Sequence, residues 1–344
     1  MNAHDSSQTD VRLDDSPELR PEREATVGSA GRRRRPQRGE RLMVPDAEFR
    51  SYYGRPVLQE TPWQAPDIAG YLFLGGLAGA SSVLAATAEL SGRPRLARAC
   101  KTGALCALGG SLYALIHDLG RPQRFLYMLR TFKVTSPMSV GTWILTAYGP
   151  QAGLAAATAV TGLFPRLGRA ATMGAGLTGG AVATYTAALV ANTAVPAWHD
   201  GHRELPYLFA GSAAASAGGL GMLAAPLAEA GPARRLALAG AVAEYAAAKR
   251  MERRMGPVAE PLKRGPGGLL LRLGTGLSLS GAAAGILLGR RDRRAAVAAG
   301  AALLAGAICT RFGIFHAGLD SSRDPAYTVE PQRARLSHPS QAPS

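Results

Sequence analysis

Cysteine is scarce. Cys100, Cys106 and Cys309 are the three in 344 residues, and they form neither a CxxC pair nor a Cys/His quartet. Their spacing argues against an iron–sulfur cluster, a zinc site or a disulfide framework carried by this chain alone. They read instead as small apolar residues within helices. Charge is thin at 18% and aromatics at 6%. Acid is scarcest where the chain is longest. Residues 1–62 hold 11 of the 39 Lys and Arg and 11 of the 24 Asp and Glu, leaving 28 basic and 13 acidic residues for the other 282. The formal charge of +15 therefore belongs to an Ala/Gly/Leu-rich body with its charges in short clusters. Basic clusters between apolar runs are what membrane loops carry, which argues against a nucleic-acid-binding domain.

Residues 1–62 read as a disordered, charged arm outside the membrane, residues 63–320 as a polytopic membrane domain, and residues 321–344 as a disordered C-terminal tail. The Arg32–Arg35 run lacks the apolar stretch directly behind it that a secretory or twin-arginine signal requires. Eight apolar segments follow. They are 68–88, 102–116, one within 134–165, one within 170–198, 205–228, about 236–248, 271–289 and 295–315. A bilayer core of about 30 Å takes about 20 helical residues, so most of these suffice, while 102–116 and 236–248 are short. The runs are too long and too evenly apolar for barrel strands, so the expected fold is an all-α integral membrane protein with about eight transmembrane helices. Glycines at four-residue spacing suit close helix approach: Gly75 with Gly79, Gly176 with Gly180, and Gly281, Gly285 and Gly289. They form no nucleotide-binding loop, because no Gly-Lys-Ser/Thr follows them.

Eight spans place both termini on one side of the membrane. That parity gathers the polar, non-basic residues on the same side. They are Trp63, Asp67 and Tyr71 before and within the first span, His117 and Asp118 after the second, and Ser136, Ser139 and Trp143 at the start of the third. Asn192, Trp198, His199 and Asp200 follow the fourth, and His316 and Asp320 follow the eighth. The opposite loops carry arginines and little else. One functional mouth is expected rather than an evenly lined pore. Arg50, Arg55, Arg311 and Arg323, counted as tail residues, tip the positive-inside comparison toward cytoplasmic termini in a multi-pass cell-membrane protein.

The stretch His117-Asp118-Leu119-Gly120-Arg121-Pro122-Gln123-Arg124-Phe125, continuing to Ser136-Pro137-Met138-Ser139 and Gly141-Thr142-Trp143, resembles the NrfD-like family. Tyr71-Leu72-Phe73-Leu74-Gly75-Gly76-Leu77-Ala78-Gly79, Tyr185 and Asn192-Thr193-Ala194-Val195-Pro196-Ala197-Trp198 extend the resemblance over roughly residues 50–320. It implies the membrane subunit of a polysulfide-reductase-type molybdoenzyme complex, with eight helices in two four-helix bundles. It also implies no haem or iron–sulfur cluster in this chain, and a quinone (menaquinone or ubiquinone) bound near the face where a ferredoxin-like iron–sulfur subunit docks. That partner would wire it to a molybdopterin catalytic subunit, so the chain is not a catalyst on its own. The long charged arm and the Ala/Gly-rich second half depart from the family pattern.

The residue chemistry agrees with quinone exchange. His117 carries an imidazole, the side-chain type suited to proton exchange near neutral pH, and Asp118 can orient it or take its proton, with Asp67 a second candidate. Tyr71 and Asn192 can bond a quinone carbonyl, while Trp143 and Trp198, with Trp63, can wall a ring. Arg121, four residues after His117 in the motif, is a further candidate to bind the quinone. The plainer alternatives stay open: the tryptophans fit an interfacial belt, and Asp118 with Arg121 fits a helix-end pair. His199 and His202 fit a solvated loop. Glu244, ionisable within a span, is either functional or paired with an interior arginine. A cytochrome b-type haem anchor and a secondary transporter remain as rival classes. The first calls for histidines deep in the spans, the second for polar sites at mid-depth.

Overall fold

The computed structural model describes residues 58, 63–121, 123–130 and 132–337. Most of the expected charged arm, including Arg32–Arg35, Arg50 and Arg55, lies outside the described residues, as does Pro122 of the motif. All the regular secondary structure among the described residues is helical, with no strand among them. The helices are α1 (Ala65–Leu90), α2 (Pro94–Asp118), α3 (Gln123–Met128), α4 (Pro137–Thr161), α5 (Pro165–Ala191), α6 (Pro196–Asp200), α7 (Leu205–Ala224), α8 (Gly231–Met255), α9 (Gly265–Leu287), α10 (Arg293–Arg323) and α11 (Ala326–Ser337).

Proline punctuates them. Every one of the eight helices from α1 to α9 other than α3 has Pro in its first two positions, where the missing N–H costs nothing. α10 instead starts on Asp292, whose carboxylate accepts from the Arg294 and Ala295 N–H groups. Gly162, at φ 73°, closes α4 in the left-handed conformation that favours glycine. Pro150 lies inside α4.

Six helices are long and apolar enough to cross a membrane: α1, α2, α5, α7, α9 and α10. α4 and α8 are as long, at 25 residues each, but less apolar. α1 packs on α2, α5 and α7, while α4 bridges α2 and α5. α7 packs on α8 and α10, while α9 bridges α8 and α10. Glycine and alanine make the approach close. The backbones of Gly79 in α1 and Gly179 in α5 touch, so a Cβ on either would sit inside the other. The expected pair partner Gly180 has open space around it instead, because its helix turns the neighbouring residue toward α1.

Two boundaries differ from the sequence expectation. The run 170–198 is broken: α5 ends at Ala191, and Pro196 begins α6. Residues 321–337, read as part of a disordered tail, finish α10 and form α11. There the Asp324 carboxylate accepts from the Ala326 N–H at 2.9 Å.

Candidate functional site

The beginnings and ends of the helices meet in a consistent order. His117 at the end of α2 contacts Asp67 at the start of α1. Tyr185, late in α5, contacts Tyr71, early in α1. At the other end of the same helices, Lys101 of α2 and Arg169 of α5 reach Glu89 of α1. Asp67, Tyr71, His117, Asp118 and Asn192 therefore share one end of the bundle.

The motif residues have local reasons. The chain leaves α2 through Gly120, at φ 66°, whose N–H bonds the His117 carbonyl. No residue with a side chain takes that conformation cheaply. Ser136 caps α4 by accepting from the Ser139 N–H, and the Ser139 hydroxyl accepts from the Lys133 N–H at 2.9 Å. These two serines therefore fix the loop that returns the chain to the site.

The imidazole Nδ1 of His117 lies 2.9 Å from the Asp67 carboxylate. The orienting group is thus Asp67, fifty residues away, rather than the adjacent Asp118. Asp67 is largely covered and His117 is 58% exposed, so the ring presents its remaining nitrogen outward from a held base. Tyr113, one turn earlier in α2, stacks on the imidazole at 5.9 Å. The Asp118 carboxylate meets the Gln64 backbone instead, tying the end of α2 to the start of α1. Tyr71 is buried, and its hydroxyl meets that of Tyr185. Gly141 of α4 leaves the space that the Tyr185 ring occupies.

Other expected site residues stand apart from this group. Trp198 is 1% exposed and belongs to the core. Its indole N–H donates to the Ile314 carbonyl at 2.8 Å, its ring lies over Gly318, and it stacks on Trp63 at 5.8 Å. It joins α6 to α10 and holds the segment before α1. Trp143 is exposed and meets Phe132 edge-on at 5.9 Å. Asn192 and Arg121 are exposed. His199 and His202 lie in the turn after α6, both exposed.

Sequence reasoning missed four contributors. Tyr113 is legible as the residue one helical turn before His117. Tyr185 stands among the residues of the family resemblance with no role given to it, and Tyr148 is a tyrosine within an apolar run. Arg311 is the fourth, and it corrects an expectation: it is not a tail residue but lies 1% exposed in the middle of α10. Its guanidinium covers the Phe209 ring at 3.7 Å and donates to the Phe209 carbonyl at 2.9 Å. It acts through space on Glu244 of α8, which is also buried. Thr310 donates to the Glu244 carboxylate at 2.6 Å, and Ser212 and Ser278 stand beside it. Glu244 Oε2 and Arg311 Nε and Nη1 have no hydrogen-bond partner among the described atoms.

Just before α7, Glu204 takes three hydrogen bonds from Arg254 at 2.7 to 3.0 Å. Those bonds hold its carboxyl below the usual carboxylate range, clamping the start of α7 to the end of α8.

A family model described as polysulphide reductase, NrfD, matches residues 57–235. The match covers α1 to α7 and the start of α8, and so includes the whole His117–Asp67 end of the bundle. No curated protein matches the chain.

Proposed function

The chain belongs to the NrfD polysulphide reductase family, and from that premise we propose that it is the quinone- or quinol-binding membrane subunit of a multi-subunit molybdopterin oxidoreductase. Family membership makes it a multi-pass membrane subunit of a reductase-type complex. The proposal adds eight spans in two four-helix bundles, α1–α2–α4–α5 and α7–α8–α9–α10, with α4 and α8 spanning under cover of their apolar neighbours. It also adds the cell membrane as location, cytoplasmic termini, and an iron–sulfur subunit docked on the mouth face. With Arg311 moved into the bundle, the cytoplasmic assignment rests on fewer tail arginines.

The observation that carries the reading is the His117–Asp67 pair beside Asp118 and the Tyr71–Tyr185 hydroxyls, all at one end of the first four long helices. This donor set fits a quinone. Two hydroxyls can donate to a carbonyl oxygen, and an imidazole backed by a carboxylate can take or return a proton near neutral pH. A bound quinone supplies the two-electron, two-proton chemistry. Asp67 fixes the tautomer of His117 through Nδ1, so Nε2 is the atom that exchanges the proton. Tyr71 and Tyr185 orient the carbonyl, and Tyr113 keeps the imidazole plane in place. Trp198 positions the surrounding backbone rather than walling the ring.

Quinone-linked turnover of the purified complex tests this. His117→Ala and Asp67→Asn are expected to lower it by about 10²–10⁴, the usual loss when general acid–base help is removed. Complex yield and artificial-dye activity of the catalytic partner should persist. Asp118→Asn should cost less, because its carboxylate serves the helix end. Normal quinone-linked turnover in both His117→Ala and Asp67→Asn overturns the site.

A further inference from the structure

The turn before α8 meets the turn after α9 through cations. Arg234, in the first turn of α8, donates from Nη1 to the Gly289 carbonyl at 3.2 Å and to the Leu227 carbonyl at 3.4 Å. Those bonds fix its guanidinium between the two turns. Arg235 reaches the same place. A Cβ added to Gly231 would stand 4.0 Å from Nη2 of Arg234 and 3.9 Å from Nη2 of Arg235, so the two guanidinium ends converge on one point. Arg290, next to Gly289, completes the group. The charges that act on Arg234 are those of Arg290 and Arg235, with no carboxylate among them.

No acid among the described residues neutralises this cluster. Three carboxylates lie at this end of the described helices, and each is committed elsewhere. Glu89 holds Lys101 and Arg169. Glu229 accepts from the Arg95 and Leu96 N–H groups at 2.8 and 3.0 Å, which ties the turn before α8 to the start of α2. Asp292 caps α10. Arg235 and Arg290 are exposed, so packing does not force their charges toward Arg234. Like charges gain by parting unless an anion lies between them.

The outward face of α8 beneath the cluster is apolar. Arg235, Leu238, Val242 and Tyr245 follow at spacings of three, four and three residues, which puts them in one row, and all four are exposed. At about 1.5 Å of rise per residue the row covers about 15 Å, half of a hydrocarbon core of about 30 Å and so the depth of one leaflet. Leu287 and Leu288, just before Gly289, are exposed on the α9 side. A free phosphate ion would satisfy the cations and leave the row unused. A zwitterionic lipid brings its own cation to a place that already has three.

We propose that Arg234, Arg235 and Arg290 bind the phosphodiester headgroup of an anionic phospholipid, with an acyl chain along Leu238, Val242 and Tyr245. The phosphodiester oxygens accept from the converging guanidiniums and supply the negative charge that the protein does not. One headgroup thereby staples the turn before α8 to the turn after α9, at the end of the molecule opposite His117. The site is separate from the quinone reading and stands or falls without it.

Thermal unfolding of the purified full-length chain in detergent tests the site, with phosphatidylglycerol, phosphatidylcholine or inorganic phosphate added. Phosphatidylglycerol is expected to raise the unfolding temperature of the wild type, and the other two are not. The double variant Arg235→Gln/Arg290→Gln removes two charges and spares the bonds of Arg234 to the carbonyls. It should raise the phosphatidylglycerol concentration needed for half of the shift about tenfold or more. Its unfolding temperature in phosphatidylcholine should match the wild type. Arg166→Gln, an exposed arginine at the start of α5, should respond to phosphatidylglycerol as the wild type does. A phosphatidylglycerol carrying a diazirine in its acyl chain keeps the test decisive where the double variant fails to fold. In the wild type it should label residues 235–245 more than the matching phosphatidylcholine does. Equal labelling by the two lipids, or an unchanged phosphatidylglycerol response in the folded double variant, overturns the site. Inorganic phosphate protecting as well as phosphatidylglycerol overturns the lipid as its ligand.

Discussion

Arg311 shows what a single charge demands inside an apolar bundle. A guanidinium with 1% exposure on a membrane-length helix retains its stem packing but loses its water. Here the Phe209 ring and carbonyl replace part of that water, and Glu244 offsets the charge. Removing one partner strands the other. Arg311→Leu or Glu244→Leu alone is therefore expected to destabilise the detergent-purified protein by about 3–5 kcal/mol. The double replacement should recover most of that loss, since apolar residues of similar size often serve as well as a buried pair. Thermal unfolding of the four proteins checks this, and additive losses in the double variant would show that the two charges do not communicate. The sequence displayed Glu244 as a charge within an apolar run, with pairing to an interior arginine as one outcome. It could not name that arginine, because Arg311 follows a long uncharged stretch and lies near the chain's basic end. Only the packing of α8 against α7 and α9, and of α10 against both of those helices, brings the two to one depth.

At the scale of the element, the crossing of α1 and α5 rests on two glycines. Gly79 and Gly179 put backbone against backbone, with no room for a Cβ on either side. Gly79→Leu or Gly179→Leu is expected to separate α1 from α5 and to displace Tyr71 from Tyr185, with loss of assembled subunit from the membrane. Gly180→Leu, one residue along and in open space, should leave subunit yield unchanged. Membrane content by immunoblot compares the three; equal loss in Gly180→Leu would mean that α5 is rotated from the position described. Most of the long helices were legible as long apolar runs. Which glycine faces a neighbour was not, because a 100° rotation of one helix exchanges Gly179 for Gly180 without changing the sequence pattern. His117 was legible from its motif, whereas its partner Asp67 was only a second candidate. The i, i+1 neighbour Asp118 looked nearer in sequence, yet adjacent helical residues point in different directions.

For the whole molecule, the proposed function makes a prediction about which of the two ends a redox partner docks on. On the proposed reading, electron transfer would require the partner's nearest centre to lie close to the quinone, so the proposed site and partner would share a face. The mouth face offers α3 and the loops around it, with exposed Arg121 and Arg124, and the segment between α8 and α9 with Lys263 and Arg264. These cations would complement an acidic patch on an iron–sulfur subunit and speed encounter. The opposite face also carries arginines, but several are occupied. Arg293 donates to the carbonyls of Met222 and Ala225 at 2.8 Å, and Arg234 to that of Gly289 at 3.2 Å, closing the ends of α7 and α9. Basic residues on that side are thus spent partly on the fold. Photo-cross-linkers at Arg121 and Arg124 are therefore expected to capture the iron–sulfur subunit in native membranes, and cross-linkers at Arg290 and Arg291 are not. The same capture should weaken as ionic strength rises, because exposed charge pairs are screened beyond about 10 Å at 0.1 M salt. Capture from Arg290 and Arg291 alone would put the partner on the face opposite His117, across a membrane thickness no direct electron transfer bridges, and the quinone site would have to move with it.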